Sequence, residues 1–182
     1  MNKHVFHAAG LLGAYGSQAE QTLTADDRLA LIDLVQSLEL AVDSRDFEAM
    51  RNILATDWSY IAAFGRYNTP DEFITDIQRQ NELFDGIRHQ HVNIVVRSQG
   101  HDRAVVLSYI IVVQVSDPEG TVQDGMPRII GHGVSRDEAE RQNGTWRLVR
   151  RIIDQTSVLP SMLPDADLRH RFGQVVATEA MP

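Results

Sequence analysis

An α+β domain, with helices ahead of a mostly antiparallel sheet, is the fold class this chain predicts. Apolar residues recur at helical spacing through the first half, and the period falls to two after Gly86. A further sign is Asn143-Gly144, which stands between two alternating runs. A two-residue turn of that composition joins antiparallel strands, because both positions need positive φ.

The elements follow in order. Thr24 is placed to cap the first helix, with Asp27 three residues on, and Leu31, Leu34, Val35, Leu38 and Val42 then recur at helical spacing. A second, short helix starts near Ser44, with Phe47, Met50 and Leu54 as its apolar side. A strand-like run covers 58–67. Thr69-Pro70-Asp71-Glu72 is the clearest local signal, with Thr69 as N-cap, Pro70 as first helical residue and Glu72 as reciprocal capping partner. Phe73, Ile77 and Phe84 line that third helix, and Gly86 ends it. Alternation then predicts strands over 89–96, 103–115, 128–141 and 145–154. Three helices and a meandering sheet make one α+β domain over 24–156. Residues 1–23 form an N-terminal arm. Residues 157–182, with Pro160 and Pro164, form an extension packed on the body or on a partner.

Composition narrows the function classes. A chain of 182 residues fits one domain with extensions, large enough to bury roughly 70% of its unfolded surface without disulfides or a structural metal. Its 43% hydrophobic and 23% charged residues argue against a largely disordered chain. Zero cysteines exclude a disulfide framework, thiolate catalysis and Cys-based metal sites. Seventeen Lys+Arg against 25 Asp+Glu give a net charge of -8, which repels phosphate backbones, so nucleic acid is not an expected partner. The short basic cluster Arg147, Arg150 and Arg151 is too small to override that total. The longest apolar stretch, 104–113, is about half the ~20 residues a membrane helix needs, so no membrane span is expected. Lys3, an apolar middle and Ser17-Gln18-Ala19 faintly resemble a signal peptide, but two histidines and a weak charged region count against it. A cytoplasmic protein is therefore expected, with secretion the weaker reading. Repeats, Gly-rich phosphate loops and nucleotide fingerprints are absent from the sequence.

Few residues stand out as chemical. Alternation over His89-Gln90-His91-Val92-Asn93 puts His89, His91 and Asn93 on one strand face, with Gln90, Val92, Ile94 and Val96 on the other. Such a row suits a solvated face, a satisfied core or a polar-lined cavity. A His-x-His pair is also a metal-ligand pattern, but the spacing supplies no third ligand, so no metal site is expected. Asp43 lies at the C-terminal end of the first helix, where the dipole disfavours a carboxylate. Either Asp43 or Ser44 caps the next helix, or Asp43 has another task, and spacing does not decide between them. Trp58 and Tyr60 alternate on the first strand as pocket or core residues. Ser135 and His132 lie on the third long strand, with no nucleophile elbow around Ser135.

Together these stretches resemble the SnoaL-like group of the nuclear transport factor two-like superfamily, which includes scytalone dehydratase, hexachlorocyclohexane dehydrochlorinase and bile-acid 7α-dehydratase. The carrying residues are Asp27 to Leu34 leading to Ala41-Val42-Asp43-Ser44-Arg45-Asp46-Phe47, then Gly65-Arg66-Tyr67, then Arg88 to Asn93. Asp137 to Arg141 and Asn143 to Leu148 complete the set, which spans about residues 24 to 156. The resemblance implies a cone-shaped, strongly curved sheet closed by helices around an apolar pocket. It also implies a catalytic pair at Asp43 and His89, in which His89 takes a proton and Asp43 orients the ring. A buried carboxylate raises a histidine's basicity and fixes its tautomer, and general-base catalysis contributes roughly 10²–10⁴-fold. Tyr60 matches a pocket tyrosine that donates to a substrate oxygen. The chain departs from the family at Leu38 and Ser135, where tyrosines are frequent, and near Gln155, where the bile-acid enzyme has an arginine. Those departures bear on dehydration more than on the fold.

The expected function is a cofactor-independent enzyme that abstracts a proton from a small apolar molecule, of lyase, dehydratase or isomerase type. Asp43 and His89 are the catalytic candidates; Tyr60, Trp58, His91, Asn93 and Ser135 are the substrate-binding ones. The alternative is a non-catalytic ligand-binding domain or structural subunit of the same fold. The resemblance also implies a homo-oligomer, dimer or trimer.

Overall fold

The structure is a computed structural model that describes residues 23–63, 65–79, 85–117 and 119–159. The expected arm and extension therefore lie almost wholly outside the described residues. Helix α1 spans Ala25–Ser44. The Thr24 hydroxyl accepts from the Asp27 N–H at 3.1 Å and the Asp27 carboxylate accepts from the Thr24 N–H at 3.1 Å, completing the expected capping box. The same carboxylate accepts from Arg141 Nη2 at 2.5 Å and Trp146 Nε1 at 3.1 Å, which ties the helix start to the last hairpin. The Arg141 donor first, then Trp146 and Thr24, hold the Asp27 carboxyl well below the usual carboxylate range.

Helix α2 spans Phe47–Ile53, and its N-cap is Asp46, whose carboxylate accepts from the Ala49 N–H at 2.9 Å. Neither Asp43 nor Ser44 caps it. The Ser44 hydroxyl donates instead to the Leu40 carbonyl at 2.6 Å, and Arg45 (φ 58) ends α1 in the left-handed region. Leu54, expected on the apolar side of α2, begins strand β1, Leu54–Ala62, because the backbone turns extended there. Strand β2, Gly65–Tyr67, folds back on β1, so the run 58–67 is two strands. Helix α3 spans Pro70–Arg79. Thr69 caps it as expected, accepting from the Glu72 N–H at 3.2 Å, but the Glu72 carboxylate reaches Asn68 N–H at 2.7 Å, one residue further back than a capping box requires. Phe84 lies outside the described residues. Gly86 (φ 70) stands in the turn before β3, where a Cβ would collide with Ser116; the residues between Arg79 and Asp85, where the helix was expected to run on to Gly86, lie outside the described ones.

Four long strands follow: β3, Ile87–Ser98; β4, Arg103–Gln114; β5, Arg128–Gln142; and β6, Thr145–Val158. Asn143 (φ 52) and Gly144 (φ 81) form the expected tight turn between β5 and β6. The sheet order is β2-β1-β6-β5-β4-β3, antiparallel except where β1 lies parallel to β6. The result is a mixed, curved, unclosed six-stranded sheet with three helices. Helix α1 rests chiefly on β3. Its apolar side joins Trp58, Val96, Val106, Trp146 and Leu148 in one buried cluster. Among the described residues, no helix is long and apolar enough to cross a membrane.

Two bulges decide which side chains face the helices. The β3–β4 register slips between Val92 and Val95, with Asn93 at φ 54, a conformation that Asn tolerates well. The β5–β6 register slips between Glu138 and Ala139, so Val149 is the extra residue on β6. A bulge shifts the alternation by one residue. On β3, His89 and His91 face inward before the bulge and Ile94 and Val96 after it. On β6, Trp146 and Leu148 are followed inward by Arg151 and Ile153.

Candidate active site

The C-terminal half of α1 and the first half of β3 carry two carboxylate–histidine pairs side by side. The Asp43 carboxylate accepts the His89 backbone N–H at 2.9 Å through one oxygen and meets His89 Nδ1 at 2.7 Å through the other. One turn back on α1, Glu39 meets His91 Nε2 at 2.9 Å. Four helical residues rise about 6.0 Å and two strand residues about 6.6–6.8 Å. Helix and strand running in opposite directions can therefore match both contacts at once. Side-chain exposure separates the pairs: 13% and 7% for His89 and Asp43, against 0% and 6% for His91 and Glu39.

A carboxylate only accepts, so Nδ1 of His89 carries the hydrogen and the neutral ring's lone pair lies on Nε2. Burial alone would lower the His89 pKa. The hydrogen bond to Asp43 and the charges of Glu39 and Asp43 outweigh burial and the opposing Arg151 cation, and raise it above its ordinary value. Both ring nitrogens of His91 are engaged, since Nδ1 meets the Ser108 hydroxyl at 2.5 Å.

Behind His91 the polar chain continues through the core. Arg151 Nη1 donates to Glu39, and its Nε donates to Asp137 at 2.6 Å. The Ser135 hydroxyl donates to Asp137 at 2.8 Å. Burial works against the Arg151 cation, but Asp137 and Glu39 more than offset it and push its pKa up. Burial would raise the Glu39 carboxyl, yet Arg151 and His91 hold it well below the usual range. Tyr60 stands opposite Arg151 on β1. It stacks on Phe73 at 5.3 Å between ring centres, with Tyr67 at 5.5 Å and Trp58 at 5.8 Å. Burial pushes the Tyr60 phenol pKa far up, so it stays a proton donor.

A family model described as a SnoaL-like domain matches residues 23–152. The chain belongs to the SnoaL-like domain family. Among solved structures, a protein of unknown function with a cystatin-like fold from Nostoc punctiforme PCC 73102 is 26% identical. It covers 76% of this chain and 96% of its own, with a TM-score of 0.62. LinA is 22% identical, covering 74% of this chain and 90% of its own with a TM-score of 0.58. A candidate scytalone dehydratase from Novosphingobium aromaticivorans DSM 12444 is 17% identical, covering 74% and 88% with a TM-score of 0.59. At these identities the last two are likenesses of fold. Comparison with curated proteins returned no match.

Within this SnoaL-like chain, the structure brings Asp43 and His89 into contact, with His91 beside them on the same face. It does not bring Asn93 there. The expectation that Asn93 shares the histidine face fails because the bulge turns it outward, where it is exposed. Ile94 and Val96, expected on the opposite face, turn inward for the same reason. Trp58 and Ser135 are wholly buried, one in the aromatic cluster and the other bonded to Asp137. Glu39, Asp137 and Arg151 were not among the candidate site residues read from the sequence. Glu39 left a signal there: it shares the buried stripe of Val35, Leu38 and Val42 and lies four residues before Asp43. Arg151 left none, because strict alternation from Trp146 and Leu148 points Arg150 inward instead.

Proposed function

We propose that the chain is an enzyme that removes a proton from carbon in a small, largely apolar molecule, needing no cofactor. His89 is the base and Asp43 its orienting partner. The observation that carries this reading is the double engagement of Asp43, which grips both the backbone N–H and the Nδ1 side of His89. A base so held has one tautomer, one ring orientation and a carboxylate ready to stabilise the imidazolium that forms. Val112 stands opposite His89 and Ile110 opposite His91 on the neighbouring strand, and both are apolar, as a largely apolar substrate requires. Tyr60 donates a hydrogen bond to a substrate oxygen. In elimination, the C–H electron pair forms the new double bond as a hydroxide or halide departs with its own pair. In isomerisation, the proton returns to another carbon. Leu38 and Ser135 supply no phenol to assist a leaving group, which keeps isomerisation level with elimination. Assembly with further copies belongs to the same reading.

The test incubates the full-length protein in D₂O with small cyclic and aryl compounds bearing an acidic C–H, with and without an adjacent hydroxyl or halide. NMR follows deuterium uptake and product. At least one compound should exchange or eliminate, and His89→Ala should abolish this while the protein stays folded. Because the His89 pKa is raised, turnover should climb with pH along a limb centred above the ordinary histidine value of about 6.5. Turnover surviving in His89→Ala would refute the mechanism. Binding without exchange by any compound would favour a non-catalytic ligand-binding domain.

A further inference from the structure

We infer that the Glu39–His91 pair, braced by Arg151, is a positioning device that locks β3 against α1 so that His89 meets Asp43. This rests on His89 being the working base, and it assigns a role to a second pair that does not itself react. Both nitrogens of His91 are bonded, to Glu39 at 2.9 Å and Ser108 at 2.5 Å, so it has no lone pair to lend to chemistry. Glu39 is held on its other side by Arg151, which Asp137 anchors in turn on β5. These contacts join α1, β3, β4, β5 and β6 around one buried carboxylate. A slip of one residue along either α1 or β3 would break both carboxylate–histidine contacts together, because the two pairs share one spacing. The bulge at Asn93 lies just beyond His91, so the brace sits where the strand's alternation is about to change.

Charge gives the brace a second effect. The charged groups that act on His89 are Asp43 and Glu39 on α1 and Arg151 on β6, with His91 two residues on along its own strand. Glu39 and Asp43 favour the imidazolium, while Arg151 opposes it. Removing the Glu39 charge therefore weakens the hold on the His89 proton.

The experiment is a histidine-ring NMR titration of the full-length protein, with His89 assigned by its absence in His89→Asn. It needs no substrate, so its outcome is independent of whether turnover is ever found. In Glu39→Gln, which keeps the shape and the acceptor oxygen, the His89 midpoint should fall by on the order of one pH unit. Glu39→Asp, which restores the charge, should recover part of that fall. In His91→Gln, which leaves Glu39 in place, the far-downfield Nδ1–H signal of His89 should broaden or vanish. An unchanged midpoint in folded Glu39→Gln would overturn the inference. If Glu39→Gln does not fold, a sharp, unshifted Nδ1–H signal in His91→Gln would overturn it instead.

Discussion

Two sets of inward-facing side chains on α1, one apolar and one polar, do opposite work. Toward its start, Leu31 and Val35 join Val96, Val106, Trp146 and Leu148 in an apolar cluster. Toward its end, Glu39 and Asp43 face His89, His91 and Arg151. The apolar set is stabilised by area, so each residue contributes separately and can be exchanged for another of similar volume. It runs on to the helix end through Leu38, Ala41 and Val42. The polar set is held together only when complete, because each ion's desolvation is offset by its partners. It fixes orientation and protonation, the two quantities a base requires.

That contrast can be broken from either side. The largest effect should come from Arg151→Met, which leaves Glu39 and Asp137 buried without their cation and should cost about 3–5 kcal/mol in urea unfolding. A loss below about 1 kcal/mol would mean the polar set tolerates exchange as the apolar set does. Leu148→Ala, at a fully buried site, should cost about 2–5 kcal/mol through the cavity it leaves. It should also leave the His89 titration where it was. A shift of His89 in that variant would join two regions held here to be separate. The smallest effect should be the pH-dependent part of His89→Ala. The His89 pKa is raised on folding, so its contribution is fully present below the unfolded value of about 6.5 and fades as pH rises through the folded one. The stability gap between the natural protein and His89→Ala should therefore be widest in mild acid and narrow toward alkaline pH. A gap that widens upward would reverse the sign assigned to the site.

Which features were legible follows from the same physics. Local signals were read directly: the Thr24–Asp27 cap, Thr69 before Pro70, and the Asn143-Gly144 turn each depend on neighbours within four residues. The Asp43–His89 contact joins residues 46 apart in the chain, and spacing left Asp43 open between capping and chemistry. Resemblance suggested the pair, and the capping by Asp46 shows why Asp43 is not needed at the helix start. The bulges at Asn93 and Val149 were invisible, since a single extra residue leaves no mark on composition yet reverses every later side chain. The reversal on β3 explains the errors of facing there, Asn93 turned out and Ile94 and Val96 turned in. The parallel contact of β1 with β6 was likewise beyond reach, because it depends on where a long crossover returns.

The central claim is that Asp43 makes His89 a base. Asp43→Asn tests it most directly, because the amide keeps the size of the side chain and an acceptor oxygen while removing the charge. On whichever compound the natural protein exchanges in D₂O, the rate in Asp43→Asn should fall by roughly 10²–10⁴-fold with the protein still folded. Its acid limb should also move down in pH, as the ring loses the partner that held its proton. An unchanged rate and an unchanged limb in a folded Asp43→Asn protein would show that the contact is structural, and the catalytic account of this site would be wrong.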